Sequence, residues 1–295
     1  MGTGINGSKM VFGKSYSEEQ LTETFKTAYS KGFTMWDTAE VYGMGNSEKI
    51  LGKLTADKED AVISTKHLPS KRYRQGETVR ALEASLKRLG RKNVDLYWLH
   101  QPYNLKENLI EAASCVESGK AKNIGLSNCS LQQLKTAVEC LDHSGLKLYG
   151  VQNHFSLLSA GRQKDILKFC HNNNIVFYGY MILEQGALSG HYNASHPFPL
   201  LSGRGLSFGK SRFKKIQPLI DYIRLLADKY SVDSSQIPIA WAIQSNVVPI
   251  VGLTKSSHAI KLADGVKINL SDTEINNLEN FAANSGVICK SSWEG

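Results

Sequence analysis

Short apolar runs alternate with amphipathic helical stretches along almost the whole chain, and this alternation constrains the fold more than any other feature. The runs are Phe33–Asp37, Ala61–Lys66, Val94–His100, Ala121–Ser127, Lys147–Gln152, Ile175–Tyr180 and Val247–Val251. Most are continuously apolar, as strands covered on both faces should be. The helical stretches between them carry recognisable ends. Ser17-Glu18-Glu19-Gln20 reads as a capping box, with Leu21, Phe25 and Ala28 on one face and Gly32 just past the end. Val79, Leu82, Leu86 and Leu89 repeat the stripe and stop at Gly90, and Ser271 to Glu274 opens a last helix. Met1–Gly4 stands where an eighth strand would precede the Ser17 helix. The pattern predicts a (β/α)8 TIM barrel forming one domain over residues 1–295, with a doubly wound open sheet as the competitor. A dinucleotide-binding open sheet should carry GxGxxG after its first strand; Gly43-Met44-Gly45 lacks the third glycine and a strand directly before it.

The charge balance excludes some partners. The 35 Lys and Arg exceed the 27 Asp and Glu by eight, with basic clusters at Lys71–Arg74, Lys87–Lys92 and Lys210–Lys215. No zinc-finger spacing, basic zipper or RNA-binding aromatic motif accompanies them, so no nucleic-acid partner is expected. The apolar runs are far short of the roughly 20 residues that span a bilayer, and no basic-then-apolar opening marks a secretory signal. Five cysteines without CxxC spacing point to buried thiols in a reducing, cytoplasmic setting. His67, His100, His143 and His171 lack ligand spacing, so no metal is expected.

In a (β/α)8 barrel, chemistry gathers at the carboxyl ends of the strands. The second strand ends in Asp37, with Tyr42 shortly after; the third ends in Lys66 and the fourth in His100. An acid, a phenol, an ammonium and an imidazole are thus expected on one rim. Each has a bland alternative, as a helix cap, a packed ring, a solvated lysine or a satisfied core histidine. Four together at adjacent strand ends make a candidate site.

The segments Asp37-Thr-Ala-Glu-Val-Tyr-Gly43, Ser64-Thr-Lys66, Asp95-Leu-Tyr-Trp-Leu-His100, Gly125-Leu-Ser-Asn128, Val151-Gln-Asn153 and Val248-Pro-Ile-Val-Gly252 resemble the aldo-keto reductase family in order and spacing. The resemblance implies reduction of aldehydes and ketones to alcohols by hydride transfer, with a catalytic tetrad of Tyr42, Lys66, Asp37 and His100. Tyr42 would be the proton donor, its pKa lowered by Lys66, which Asp37 would hold in place, while His100 would orient the carbonyl. For the cofactor it implies Gly2 and Thr3 on the first strand and Asp37 at the rim. Ser127, Asn128 and Gln152 would meet the nicotinamide carboxamide, and Tyr180 would stack on its ring. The Leu183, Gln185, Gly186 and Leu188 segment would begin a strap over the pyrophosphate. Gly252, Thr254, Lys255, Ser256 and His258 would surround the adenosine phosphate, which favours NADPH over NADH. Residues 181–215 read as a long glycine-rich loop in which Lys210 or Arg212 takes over from a lysine replaced by His191.

Departures from the family pattern sharpen other expectations. The chain opens at its first strand, without the β-hairpin that usually plugs the barrel bottom. Gln101 replaces a tryptophan common after the histidine, and few residues follow the last helix, so an open, polar site of broad carbonyl tolerance is expected. A second reading on the same fold is a nicotinamide-binding regulatory subunit with little turnover, like the potassium-channel β subunits. A third is an unrelated barrel for phosphorylated ligands. The sequence is silent on oligomeric state.

Overall fold

The computed structural model describes residues 16–199, 202–291 and 293. Among the described residues seven strands follow one another in a single parallel sheet, ordered as in the chain, in a nearly closed (β/α)8 barrel. They are β1 (Met35–Asp37), β2 (Val62–His67), β3 (Leu96–Leu99), β4 (Ile124–Ser127), β5 (Leu148–His154), β6 (Val176–Tyr180) and β7 (Val248–Ile250). Five fall inside an apolar run named above, while β2 runs one residue past its run, to His67, and β5 two residues past its own, to His154. The strand expected at Met1–Gly4 lies outside the described residues, and Gly2 and Thr3 with it.

Helices cover the outside: α1 (Glu18–Ser30), α2 (Asn46–Leu54), α3 (Glu77–Leu89), α4 (Leu105–Glu117), α5 (Leu131–His143), α6 (Lys164–Asn172), α7 (Gly203–Ser207), α8 (Lys210–Tyr230), α9 (Gln236–Gln244), α10 (Ser256–Gly265) and α11 (Asp272–Asn284). Ser271 and Glu274 form a reciprocal capping box on α11. The box at α1 is only half made. Ser17 accepts from the Gln20 N–H, but the Gln20 side chain donates to the Thr254 carbonyl at 2.6 Å instead of turning back. A tertiary partner has displaced the local one, tying α1 to the loop after β7.

Strand parity positions the site. Side chains at every second residue face the barrel axis. Leu96, Trp98 and Tyr178 form an inner cluster, with Met35, Val176 and Ile250 packed against it. Trp36, Ile63, Tyr97, Leu99 and Leu126 take the opposite parity and join the main core with the helices. Along the inward parity, apolar residues give way to polar ones toward the carboxyl ends: Met35 then Asp37, Leu96 and Trp98 then His100, Gly125 then Ser127. Gly125 is required by this packing, because a Cβ there would lie 2.2 Å from the Trp98 ring.

The stretch from 181 to 209 is not the structureless loop that its glycines suggest. It holds a 3-10 turn, Glu184–Gly186, and α7, and α8 begins at Lys210. Tyr192, Phe198, Phe208 and Phe213 pack on one another, with centroids 4.4 Å apart for Tyr192–Phe198 and 4.9 Å for Phe208–Phe213. The Arg204 guanidinium lies 4.8 Å from the Phe198 ring centroid. These aromatic contacts order the strap where composition alone pointed to freedom.

Candidate active site

Three strand ends bring Asp37, Lys66 and His100 together. Lys66 is fully buried, and its ammonium pairs with Asp37 and donates to the Thr38 carbonyl at 2.7 Å. The Ser64 hydroxyl, two residues earlier on the same inward face, donates to Asp37 Oδ1 at 2.6 Å. Tyr42 arrives from the loop after β1. Its ring centroid is 4.9 Å from Lys66 Nζ and 5.8 Å from the His100 ring, which it meets edge-on.

The electrostatics follow from burial and one cation. Burial pushes the Asp37 carboxyl up, but Lys66 and the Ser64 hydroxyl outweigh it and hold the group below the usual carboxylate range. Burial would lower the Lys66 ammonium, yet Asp37 and Tyr42 raise it. For Tyr42 the balance differs from the sequence expectation. Burial raises the phenol further than Lys66 lowers it, so the net shift is upward. His100 is driven down to about 3, first by burial and then by the Lys66 charge, and is neutral at ordinary pH. Its Nδ1 is buried without a hydrogen-bond partner, which leaves Nε2 to meet a substrate.

The other expected residues gather around this centre. The Gln152 side chain donates to Asp37 Oδ1 at 3.2 Å, linking β5 to the acid. The Ser127 hydroxyl donates to the Gln152 carbonyl at 2.8 Å, and the Asn128 amide donates to the His100 carbonyl at 2.9 Å. The Tyr180 hydroxyl donates to Asn128 Oδ1 at 2.6 Å, while its ring stacks on His154 at 5.8 Å.

The strap root is held from below. Glu184 is buried, meets His154 Nε2 at 2.7 Å and accepts from the Ser156 hydroxyl. Glu184 and Gln185 both take positive φ (46° and 55°), which leads into Gly186 at 106°. Leu188 is fully buried, backbone included, and Leu183 is half-buried. Lys210 and Arg212 lie exposed on the first turn of α8, with the Arg212 guanidinium 5.9 Å from the Phe208 ring centroid.

After β7, Gly252 and Thr254 lead to Lys255, the residue before α10, with Ser256 and His258 on its first turn. No side chain caps this helix, so its N-terminal N–H groups and the adjacent Lys255 offer an anion site. Partial burial, then Lys255 and Lys261, lower the His258 imidazole.

Three contributors escaped sequence reasoning. Glu40 meets His67 Nδ1 at 2.7 Å and accepts from the Leu68 N–H at 2.7 Å, pinning the Tyr42 loop to the end of β2. Glu184 is the second. Trp293 is the third, and it corrects the expectation of an open, polar wall: it stacks on His100 with centroids 4.7 Å apart. The acidic residues could have been guessed from their proximity to the motifs, but nothing local signals Trp293.

All five cysteines are free, four of them buried. Among the described residues no cluster of three or more His, Cys, Asp or Glu is placed to hold a metal, and no helix is long and apolar enough to cross a membrane.

Comparison with known proteins gives this geometry a family. The family model described as "Aldo/keto reductase family" matches residues 1–283. The Schizosaccharomyces pombe aldo-keto reductase yakc, whose name carries NADP(+), is 28% identical over 98% of this chain and 89% of its own length. The chloroplastic pyridoxal reductase of Arabidopsis thaliana is 31% identical over 87% of this chain and 75% of its own. A solved glycerol dehydrogenase from Gluconobacter oxydans superposes with a TM-score of 0.82 at 25% identity, covering 97% of this chain and 92% of that one.

Proposed function

Because the chain belongs to the aldo/keto reductase family and is an oxidoreductase of that type, we propose that it reduces aldehydes and ketones to alcohols with NADPH, using Tyr42 as the proton donor. The observation that carries this reading is the buried Lys66 ammonium, paired with Asp37 and set against the Tyr42 ring opposite a neutral His100.

The raised Tyr42 pKa keeps the phenol protonated until a carbonyl oxygen becomes basic. As that oxygen gains charge, the Tyr42 Oη proton moves to it, and Lys66 stabilises the phenolate left behind. Help of this kind is typically worth about 10²–10⁴-fold. Asp37 holds the ammonium in place, and His100, neutral and donating from Nε2, orients the carbonyl. Bound NADPH supplies the hydride. Ser127, Asn128 and Gln152 would hold its carboxamide, and Tyr180 would stack on its ring. Gln185 and Gly186, with Lys210 or Arg212, would cover its diphosphate. Lys255, Ser256 and His258 would hold its 2′-phosphate. The uncapped N-terminus of α10 beside a lysine fits such a group, and the relative named with NADP(+) agrees.

The test is NADPH and NADH oxidation by purified protein over a panel of aldehydes and ketones, with Tyr42→Phe alongside. Turnover that prefers NADPH and collapses in the variant is expected. Tight NADPH binding with no turnover for any carbonyl would overturn the reductase reading in favour of a regulatory subunit.

A further inference from the structure

On the loops that follow β1 to β7 the only carboxylates are Glu40 and Glu184. Both are engaged, with His67 and His154, and Asp37 at the end of β1 pairs with Lys66. Cations are more numerous around this rim. Lys210, Arg212 and Lys255 border the cofactor in the reading above, but Lys71, Arg72 and Arg74, on the loop after β2, do not. That loop is tied to the loops of both Tyr42 and His100. At its root the Leu68 N–H donates to Glu40 Oε1, on the Tyr42 loop, at 2.7 Å. In its middle the Ser70 carbonyl accepts from the side-chain amide of Asn104, on the His100 loop, at 2.8 Å. The Ser70 N–H donates to Glu77 Oε1 at 3.1 Å, and the Tyr73 hydroxyl donates to Glu111 Oε1 at 2.7 Å. The backbone is thus fixed, while Lys71, Arg72 and Arg74 stay exposed, and none of the three meets a carboxylate among the described residues. Lys71 Nζ lies 6.0 Å from the ring centroid of Tyr103, which also belongs to the His100 loop.

Local structure does not account for these three charges. The basic cluster at Lys87–Lys92 stands at the C-terminus of α3, where the helix dipole favours cations. Lys71, Arg72 and Arg74 come just before the N-terminus of the same helix, where the dipole opposes them. They also repel one another, with no acid between them. Such a group does suit an anion: clustered cations raise its local concentration, and the guanidinium fork matches the oxygens of a carboxylate or a phosphate. Resting on the reductase reading above, we propose that the carbonyl substrate carries an anionic group away from its carbonyl, received by Lys71, Arg72 and Arg74. Tyr42 and His100 hold the reacting end, and the loop that joins their two loops holds the charged end.

The test compares 4-formylbenzoate and 4-formylphenyl phosphate with the neutral methyl 4-formylbenzoate at saturating NADPH. Comparing each aldehyde between enzymes cancels its intrinsic reactivity. Lys71→Glu/Arg72→Glu is expected to lower kcat/KM for the anions about tenfold while leaving the ester within about twofold. The anion that loses more is the group the rim is built for. Lys87→Glu/Lys92→Glu makes the same change in net charge at the other end of α3, and should leave the anion-to-ester ratio within about twofold. In wild type that ratio should fall as NaCl is raised to about 0.5 M. Calorimetric titration of the NADP+ complex with 4-carbamoylbenzoate, an amide that is not reduced, should show about tenfold weaker binding in Lys71→Glu/Arg72→Glu. Equal losses in the two double variants, equal losses for anions and ester, or unchanged 4-carbamoylbenzoate affinity would each overturn the proposal. Failure of the wild type to reduce any of the three aldehydes would sink the reductase reading instead, while 4-carbamoylbenzoate binding would still report on the rim.

Discussion

The Lys66 ammonium pairs with Asp37 while lying 4.9 Å from the centroid of the Tyr42 ring, so a single fully buried cation serves both an acid and a phenol. Removing one partner of a buried ion pair strands the other, at a cost of about 3–5 kcal/mol. Lys66→Met is therefore expected to lower unfolding stability by that order and to stop turnover. Adding Asp37→Asn should restore part of the stability and none of the activity. Urea unfolding of both single variants and the double checks this, and strictly additive losses would show that the two side chains do not act as a pair.

His100 makes stability depend on pH in a calculable direction. Its pKa falls from 6.5 to about 3 on folding, so between those values the unfolded chain binds the extra proton. The stabilisation is fully present above 6.5 and is lost as pH falls toward 3. Between about pH 7.5 and pH 5, wild type should lose roughly 2 kcal/mol more than His100→Gln, as read from urea midpoints. Turnover should show no step near 6.5 from this residue.

Gly125→Ala would place a methyl group 2.2 Å from the Trp98 ring, inside the barrel. Overpacking of this kind costs about 1–3 kcal/mol or more. A drop in melting temperature is expected, partly reversed by Trp98→Leu in the same chain. An unchanged melting temperature for the single variant would mean that Trp98 has another place to go.

Glu184 anchors the strap through His154 and Ser156. Glu184→Ala orphans the buried His154 Nε2, at about 1–3 kcal/mol, while the Ser156 hydroxyl keeps Ser159 as a partner. Because Gln185 and Gly186 follow directly, NADPH affinity should fall about tenfold as the turn loosens. Calorimetric titration with NADPH, beside thermal unfolding, separates the two effects.

Lys255 precedes the uncapped α10. Lys255→Ala is expected to weaken NADPH binding at least about tenfold and leave NADH unchanged, the loss of one charge-assisted contact. Parallel loss of both nucleotides would place the 2′-phosphate elsewhere.

Much of this was readable in the chain because the relevant signals are local. An apolar run that closes on Asp37, Lys66 or His100 states both the strand and the side chain at its end, and parity supplies the direction. What escaped depends on distance or on balance. The Gln20 side chain could have closed its own cap, and only the arrival of Thr254 at 2.6 Å decides otherwise. Glycines at 186, 190, 203, 205 and 209 suggested a free strap, but Tyr192, Phe198, Phe208 and Phe213 order it. Lys66 beside Tyr42 foretold a lowered pKa, yet burial outweighs one charge. Trp293 meets His100 across most of the chain, with no periodicity or motif to announce the contact.

The inward parity of the strands also sets where this protein can change. Asp37, Lys66 and His100 each sit one residue from a neighbour that faces the helices. Deleting a single residue of β2 ahead of Lys66 would swing Lys66 out and bring His67 in, exchanging an ammonium for an imidazole and erasing the site in one step. The loops that follow the strands carry no such phase. Substrate range in this scaffold can therefore drift through insertions between elements, while the strands themselves admit only substitution.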